Sequence, residues 1–372
     1  MIKPFFLDLS SQEIVDIQSK VGEILKSGQL ILGKYTEKFE QEFAKYIGSE
    51  YAVSLNSGTS ALEVLLMLHN AQGKAIAVQT NTNFASVAAI IKSGGTPIFM
   101  DMDKNYFCPS LEILRKTVDK NPHIKGVVWV HIGGIITPDF IKVVEYCKNR
   151  SIFLIEDCAH AHGSQYKGTK AGNFANGGAF SFFPTKVMTT MEGGMVTTND
   201  FNIASSIKSY RNQGKRDGEY GGLHYDLGNS WRMNEISAYI GIIQLSKLDE
   251  MIIRRQNATD KIIQTLNDFN INYCDTSHMD KASNYKFIIR LDANCDINFI
   301  KEEFKNNGII LGGGVYDVPC HLHPVFKNIT VKDVLPNSEE YCPNHICLPI
   351  TSGTTPDDII QMIDSIKSII IN

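Results

Sequence analysis

Ile152-Phe153-Leu154-Ile155-Glu156-Asp157 is a short apolar run of strand-forming residues that ends in two acids. Its length and composition suit a strand buried on both faces, with Asp157 at the carboxyl end. Working outward, similar runs occur at 51–55, 75–79, 97–100 and 126–131 before it, and at 179–183 and 195–198 after it. Helical patterns separate them at 60–69, 84–92, 110–120 and 138–149. This alternation predicts an α/β fold: a large domain with a mostly parallel sheet covered by helices on both faces. Ligands of such sheets bind beyond the carboxyl ends of the strands, where Asp157 is placed. From Asn234 the pattern is helical through Leu245, Leu248, Ile252 and Ile263. The tail from about Ser283 mixes strand and helix again, at 285–291, 297–307 and 356–369. We therefore expect a large cofactor-binding domain over residues 1–250 and a smaller C-terminal α/β domain over 251–372.

Composition narrows the class. The chain has 372 residues, 43% hydrophobic and 20% charged, which suits a globular enzyme with a sizeable core. Its formal net charge is −4 with no basic block, so nucleic acid is not an expected partner. The apolar stretch at Met1–Asp8 is too short for a signal peptide, and the run at 127–136 is too short to span a membrane. The eight cysteines are scattered and form no Cys-x-x-Cys pair, which predicts reduced thiols and a cytoplasmic protein. Asn257-Ala258-Thr259 and Asn328-Ile329-Thr330 match the glycosylation sequon but carry no meaning without secretion.

A second stretch supplies the chemistry. Phe180-Ser181-Phe182-Phe183-Pro184-Thr185-Lys186 ends an aromatic strand-like run in a lysine, and Glu192-Gly193-Gly194 follows. So much aromatic content predicts burial, and a buried lysine is a competent amine nucleophile. A lysine and an aspartate at one sheet edge are the pair that pyridoxal 5'-phosphate requires. The amine condenses with the cofactor aldehyde, and the carboxylate keeps the pyridine nitrogen protonated. Asn56-Ser57-Gly58-Thr59-Ser60-Ala61-Leu62 follows a strand and opens a helix, so its N–H groups and hydroxyls suit a phosphate. Alone it reads more readily as a capped core helix; Asp157 and Lys186 at the same edge turn the balance to the phosphate. His160, three residues after Asp157, is within reach of the cofactor ring, and the Ser181 hydroxyl is within reach of the phosphate. Asp157 has a plainer reading as a helix cap. His160-Ala161-His162 and His321-Leu322-His323 lack a third ligand at a familiar spacing, so no metal is expected. The stretch 163–170 has the wrong order for a nucleotide-binding P-loop and is read as a turn.

These motifs resemble the DegT/DnrJ/StrS family of fold type I pyridoxal phosphate aminotransferases, best known for aminating nucleotide-linked keto sugars. The likeness runs nearly end to end. It takes in Ser27-Gly28, Leu32-Gly33, Phe39-Glu40, Phe43-Ala44, the 56–62 segment, Gly94-Gly95-Thr96-Pro97 with Asp101, and Val130-His131. It continues through 156–163, Ser181 to Lys186, Glu192-Gly193-Gly194, Arg232-Met233-Asn234-Glu235 and Leu348-Pro349. The resemblance implies that Lys186 bonds the cofactor and shuttles the proton, that Asp157 pairs with the ring nitrogen, and that His160 lies beside the ring. It implies phosphate binding by Gly58, Thr59, Ser60 and Ser181, and a homodimer whose sites are completed by the neighbouring subunit. Where relatives stack an aromatic residue on the cofactor, this chain offers Asn83 or Phe84. Where they carry Gly-aromatic-Asn before Arg-Met, it has Gly228-Asn229-Ser230-Trp231, so the cross-subunit phosphate donor is Asn229 or Ser230.

The expected activity is transfer of an amino group from glutamate to a nucleotide-linked keto sugar. A small phosphorylated ketone, such as a triose phosphate, is the alternative acceptor. A deoxysugar dehydratase would carry histidine in place of Lys186, and a non-catalytic cofactor-binding regulator would not need the intact pair.

Overall fold

The computed structural model describes residues 1–216, 222–292, 294–327 and 334–371; the sequon at 328–330 lies outside them. Its strands are β1 (Tyr51–Leu55), β2 (Ala75–Gln79), β3 (Thr96–Met100), β4 (Ile124–Val130), β5 (Phe153–Asp157), β6 (Gln165–Tyr166), β7 (Thr169–Lys170), β8 (Gly177–Ser181), β9 (Gly194–Thr198), β10 (Phe287–Arg290) and β11 (His345–Leu348). Its α-helices are α1 (Ser11–Ser27), α2 (Lys34–Ile47), α3 (Gly58–Leu68), α4 (Phe84–Lys92), α5 (Leu111–Lys120), α6 (Phe140–Asn149), α7 (Phe201–Arg211), α8 (Glu235–Ser246), α9 (Leu248–Asp268), α10 (Ile297–Asn306), α11 (Pro336–Tyr341) and α12 (Pro356–Ile366).

Seven strands form one sheet in the order β1-β9-β8-β5-β4-β2-β3. The run from β8 to β3 is parallel, and β9 and β1 are added antiparallel at one edge. The mostly parallel α/β sheet expected from the sequence is therefore present. Side chains alternate faces along each strand. Val127 and Trp129 of β4 enter one core with Phe39, Phe43, Phe140, Phe180 and Phe182, while Val128 and Val130 enter the opposite core with Leu55, Leu65, Val78 and Ile90. Helices cover both.

A third core joins β10 and β11 to α9, α10 and α12 through Ile262, Leu266, Phe287, Ile289, Phe304, Ile346 and Met362. Ile2 belongs to it as well, because the N-terminal strand-like segment pairs with Ile309. The helical stretch after Asn234 is two helices broken at Lys247, and the expected 250/251 boundary falls in the first turn of α9.

One strand differs from expectation in a way that matters for the site. β8 spans Gly177–Ser181 instead of 179–183. Glycines at 177 and 178 look like strand breakers, yet a Cβ there would lie 2.8 Å from Leu65 Cδ2 and 2.4 Å from Gly172 Cα, so close packing requires them. Lys186 consequently sits in the turn beyond the strand, with its N–H donating to Phe183 O at 3.0 Å. Phe183 is exposed and Lys186 is half-buried, so the fully buried lysine expected from the aromatic run is not what the fold provides. The aromatic burial comes from Phe180 and Phe182, which point into the core against Phe43.

Among the described residues no helix is long and apolar enough to cross a membrane. The eight cysteines are free thiols and seven are buried. Burial pushes Cys108, Cys147, Cys320, Cys342 and Cys347 up to about 12, which makes them poor nucleophiles.

Candidate active site

Beyond the carboxyl ends of β5 and β8 lies a cavity of ≈ 360 Å³. Gly58, Thr59, Asn83, Asp157, His160, Ser181 and Lys186 all line it, together with Ser57, Ser86, Glu192 and Tyr316. Residues from five distant segments meet here because the strand ends of a parallel sheet converge on one edge.

Asp157 is 4% exposed. Its Oδ2 accepts a 2.8 Å bond from Ser86 Oγ, and its Oδ1 accepts from the Ala159 N–H at 3.1 Å. Burial pushes its carboxyl above the ordinary range, while those two bonds and the charges of Lys186 and His131 oppose the shift. The carboxylate is thus held in place but only partly compensated, a setting that a cationic ligand nitrogen would complete.

His160 is fully enclosed. The Gly133 N–H donates to its Nδ1 at 3.3 Å, which leaves the proton on Nε2, 3.3 Å from the Tyr316 hydroxyl. Burial, then Lys186, Lys286 and His162, hold its pKa well below the usual histidine value. It is therefore a neutral ring of fixed tautomer. Tyr285 packs on it with centroids 4.3 Å apart.

The anion cradle is built at the start of α3. Ser57 caps the helix by accepting from the Ser60 N–H at 3.1 Å. Gly58 approaches Ser181 so closely that a Cβ would lie 2.6 Å from Ser181 Cβ, so glycine brings β8 and the helix N-terminus together. Ser60 does not line the cavity. Its hydroxyl donates to Asn56 Oδ1 at 2.6 Å and lies 2.8 Å from Ser57 Oγ, closing the cap.

Asn83 and Phe84 part company. Asn83 caps α4, accepts from the Ala85 N–H at 3.0 Å and lines the cavity. Phe84 is exposed and stacks on Phe326 with centroids 5.5 Å apart. Asn229 and Ser230 are exposed and line no part of this chain's own cavity. The Asn229 N–H donates to Tyr210 O at 2.6 Å, and Ser230 Oγ accepts from Arg232 at 2.6 Å.

Ser86, Tyr285 and Tyr316 went unnoticed in the sequence, and Ser57 entered only as part of the 56–62 segment. Ser57 and Ser86 had a signal in their positions at the first turns of helices that follow strand ends. The two tyrosines had none, since both arrive from the C-terminal third. Glu156 and Glu235, which flank motif residues, are structural. Glu156 accepts from the Gly172, Phe174 and Ala175 N–H groups and pairs with His131. Glu235 accepts from Gly33, Tyr35 and Thr36 at the start of α2. Among the described residues the one cluster with metal-ligand spacing is His131, Glu156 and Cys158. Those same contacts of Glu156 account for it.

The donor set fits pyridoxal phosphate. A buried, under-compensated carboxylate faces the cavity floor, and an amine stands at its wall. The N-terminus of α3 lines the same cavity, and Gly58 lets it lie close against Ser181. This is the arrangement of a fold type I pyridoxal phosphate enzyme. Residues 11–367 match the DegT/DnrJ/EryC1/StrS aminotransferase family. The chain belongs to that family of sugar aminotransferases, whose members use pyridoxal phosphate. It is 30% identical to a GDP-perosamine synthase of Vibrio cholerae over 90% of this chain and 91% of that one. It is 39% identical to a GDP-perosamine synthase of Escherichia coli O157:H7, over 63% of this chain and 64% of that one. Among solved structures, Helicobacter pylori PseC, an aminotransferase involved in the biosynthesis of pseudoaminic acid, superposes with a TM-score of 0.88. PseC is 26% identical and the match covers 100% of this chain and 99% of that one.

Proposed function

We propose that this chain moves an amino group from glutamate to the keto carbon of a nucleotide-linked sugar, with pyridoxal phosphate resident in the cavity. The observation that carries this reading is the shared cavity of Asp157 and Lys186, in a chain whose relatives include GDP-perosamine synthases. Bound there, the cofactor supplies a carbonyl to receive the amino group and a ring to delocalise the electrons left by a departing proton.

This chain's residues do the rest. Lys186 Nζ would hold the cofactor at rest and, once released, would take the proton from the substrate's amino-bearing carbon. Asp157 stays ionised against the ring nitrogen and holds its proton. Ser57, Thr59, Ser181 and the first N–H groups of α3 take the phosphate dianion. His160, neutral and of fixed tautomer, flanks the ring without adding a competing charge. Asn83 lines the same cavity, and Tyr316 stands against His160. Asn229 and Ser230, exposed on their own subunit, are available to a second subunit's phosphate in a homodimer.

The test is a half-reaction. Glutamate added to the loaded protein should convert the pyridoxal absorption to that of the pyridoxamine form, and a panel of nucleotide-linked keto sugars should reverse it. Lys186→Ala should do neither. Conversion by glutamate with reversal only by small phosphorylated ketones would reassign the acceptor. No conversion would remove the activity.

A further inference from the structure

The segment leading into β10 is tied down at every residue. The Ser283 hydroxyl donates to His160 O at 2.7 Å, and its N–H donates to Ser164 Oγ at 3.1 Å. Asn284 has φ +46, its side chain reaches Thr259 of α9, and its carbonyl accepts from Arg255 Nη1 at 3.2 Å. The same Arg255 nitrogen donates to Ile350 O at 2.7 Å. Arg255 is buried, so its two carbonyl acceptors fix it and, through it, the segment.

The result is a precise aim for Tyr285. Lys186 Nζ lies over its ring, 4.9 Å from the centroid. Its hydroxyl is 3.3 Å from Thr185 Oγ1, the residue before that lysine. His160 packs on the ring as well, and Lys286 Nζ lies farther out, 5.5 Å from the centroid. Lys186 itself sits in a turn, half-buried, on a long flexible stem that gives it no orientation of its own.

We propose that Tyr285 is a positioning residue for Lys186: its ring face seats the ammonium, its hydroxyl steadies the Thr185–Lys186 turn, and the clamp through Ser283 and Arg255 makes the seat rigid. This rests on reading Lys186 as the reactive amine. A tyrosine that merely filled space would have no reason to touch the lysine, its preceding residue and His160 together. The charges facing the phenol agree with the geometry. Burial pushes its pKa up, but Lys186, Lys286, the Thr185 hydroxyl and Arg255 together bring it below the ordinary value.

The test uses the apoprotein, so that it does not depend on cofactor chemistry. Lysines are acylated with a limiting amine-reactive ester and rates are read for each by peptide mass spectrometry, with exposed Lys38 and Lys116 as internal controls. Tyr285→Leu uncovers Nζ and should speed Lys186 labelling by about two- to fivefold, the equilibrium worth of one such contact, with the controls unchanged. Tyr285→Phe keeps the ring and should stay within about twofold of wild type. Unchanged Lys186 labelling in a folded Tyr285→Leu protein overturns the proposal, as does an equal change in the controls. A second measurement covers misfolding of that variant. The tyrosine ring carbon assigned by its loss in Tyr285→Phe should titrate at higher pH in Lys186→Gln, and an unmoved titration overturns the contact. If reductive trapping with pyridoxal phosphate labels a different lysine, the functional reading fails while these two measurements still decide the Tyr285–Lys186 contact.

Discussion

Ser86 Oγ donates a 2.8 Å hydrogen bond to Asp157 Oδ2, so the first turn of α4 holds the carboxylate that ends β5. The same hydroxyl lies 2.8 Å from Thr82 Oγ1, and Asn83 at the head of that turn lines the cavity. One helix start therefore both walls the site and aims its acid.

This arrangement sets function against stability at Asp157. Its pKa is raised by burial, so in the apoprotein the charged form is disfavoured by folding. Stability linked to this group is full below the unfolded carboxylate value and declines as pH rises through the raised folded value. Asp157→Asn should therefore raise the apoprotein's thermal midpoint at about pH 8, where Asp157 is charged in the unfolded chain. The same variant should lower turnover by about a hundredfold or more, since it loses a charge aimed at the cofactor. Differential scanning fluorimetry and the glutamate half-reaction check both parts. A lowered midpoint with near-normal turnover would make Asp157 a cap.

His162 is predicted to contribute to the loss of stability in acid. It is fully buried between Phe180 and Phe182, and neither ring nitrogen has a partner at hydrogen-bond geometry. Burial, then the Lys186 and Arg255 charges, push its pKa down to about 3, with the Ser181 backbone acting in the opposite sense. A depressed folded value means stability that is present above the unfolded histidine value and is lost as pH falls from about 6.5 toward that folded value. The loss from this group approaches about 1.4 kcal/mol per pH unit in that window. In His162→Leu, apoprotein unfolding between about pH 6 and 4 should take up one proton fewer. An unchanged pH slope of the denaturant midpoint would place the acid sensitivity elsewhere.

Glu156, next to Asp157, is predicted to be structural only. Its carboxylate accepts three backbone N–H groups of the 172–175 loop and pairs with buried His131 at 3.1 Å. Glu156→Gln places an amide against those donors and should lose on the order of 3 kcal/mol in urea unfolding. A loss below about 0.5 kcal/mol would contradict this.

Much of this was legible in the sequence because parallel strands advertise themselves. Each ends at the same edge, so Asp157 and the 57–59 turn could be placed together from pattern alone. Other features depended on partners far away in the chain. Phe84 leaves the cavity because Phe326 receives it. Ser60 turns inward because Asn56 Oδ1 lies 2.6 Å away. The aromatic run before Lys186 suggested burial of the lysine, but β8 begins earlier, at glycines needed for close packing, and leaves the lysine in a turn. Tyr285 looked like a strand residue; its aim is set by Ser283, Asn284 and Arg255, contacts that no local pattern encodes.

Assembly is tested by complementation. In a single chain Asn229 and Ser230 stay outside the cavity, and we predict that they serve a partner's phosphate. Replacing both with alanine should weaken cofactor binding by about tenfold or more, the worth of one charge-assisted hydrogen bond. Mixed dimers of that variant with Lys186→Ala subunits should regain activity, because one site then combines an intact lysine with an intact donor segment. An inactive mixed dimer, or an active monomer, would contradict the shared site.

The most direct measurement of the central claim is reductive trapping. The protein is loaded with pyridoxal phosphate, reduced with borohydride, digested and mapped by mass spectrometry. The account predicts the phosphopyridoxyl mass on Lys186, and its loss in Lys186→Ala. A label confined to another lysine, or none on folded protein, would contradict it.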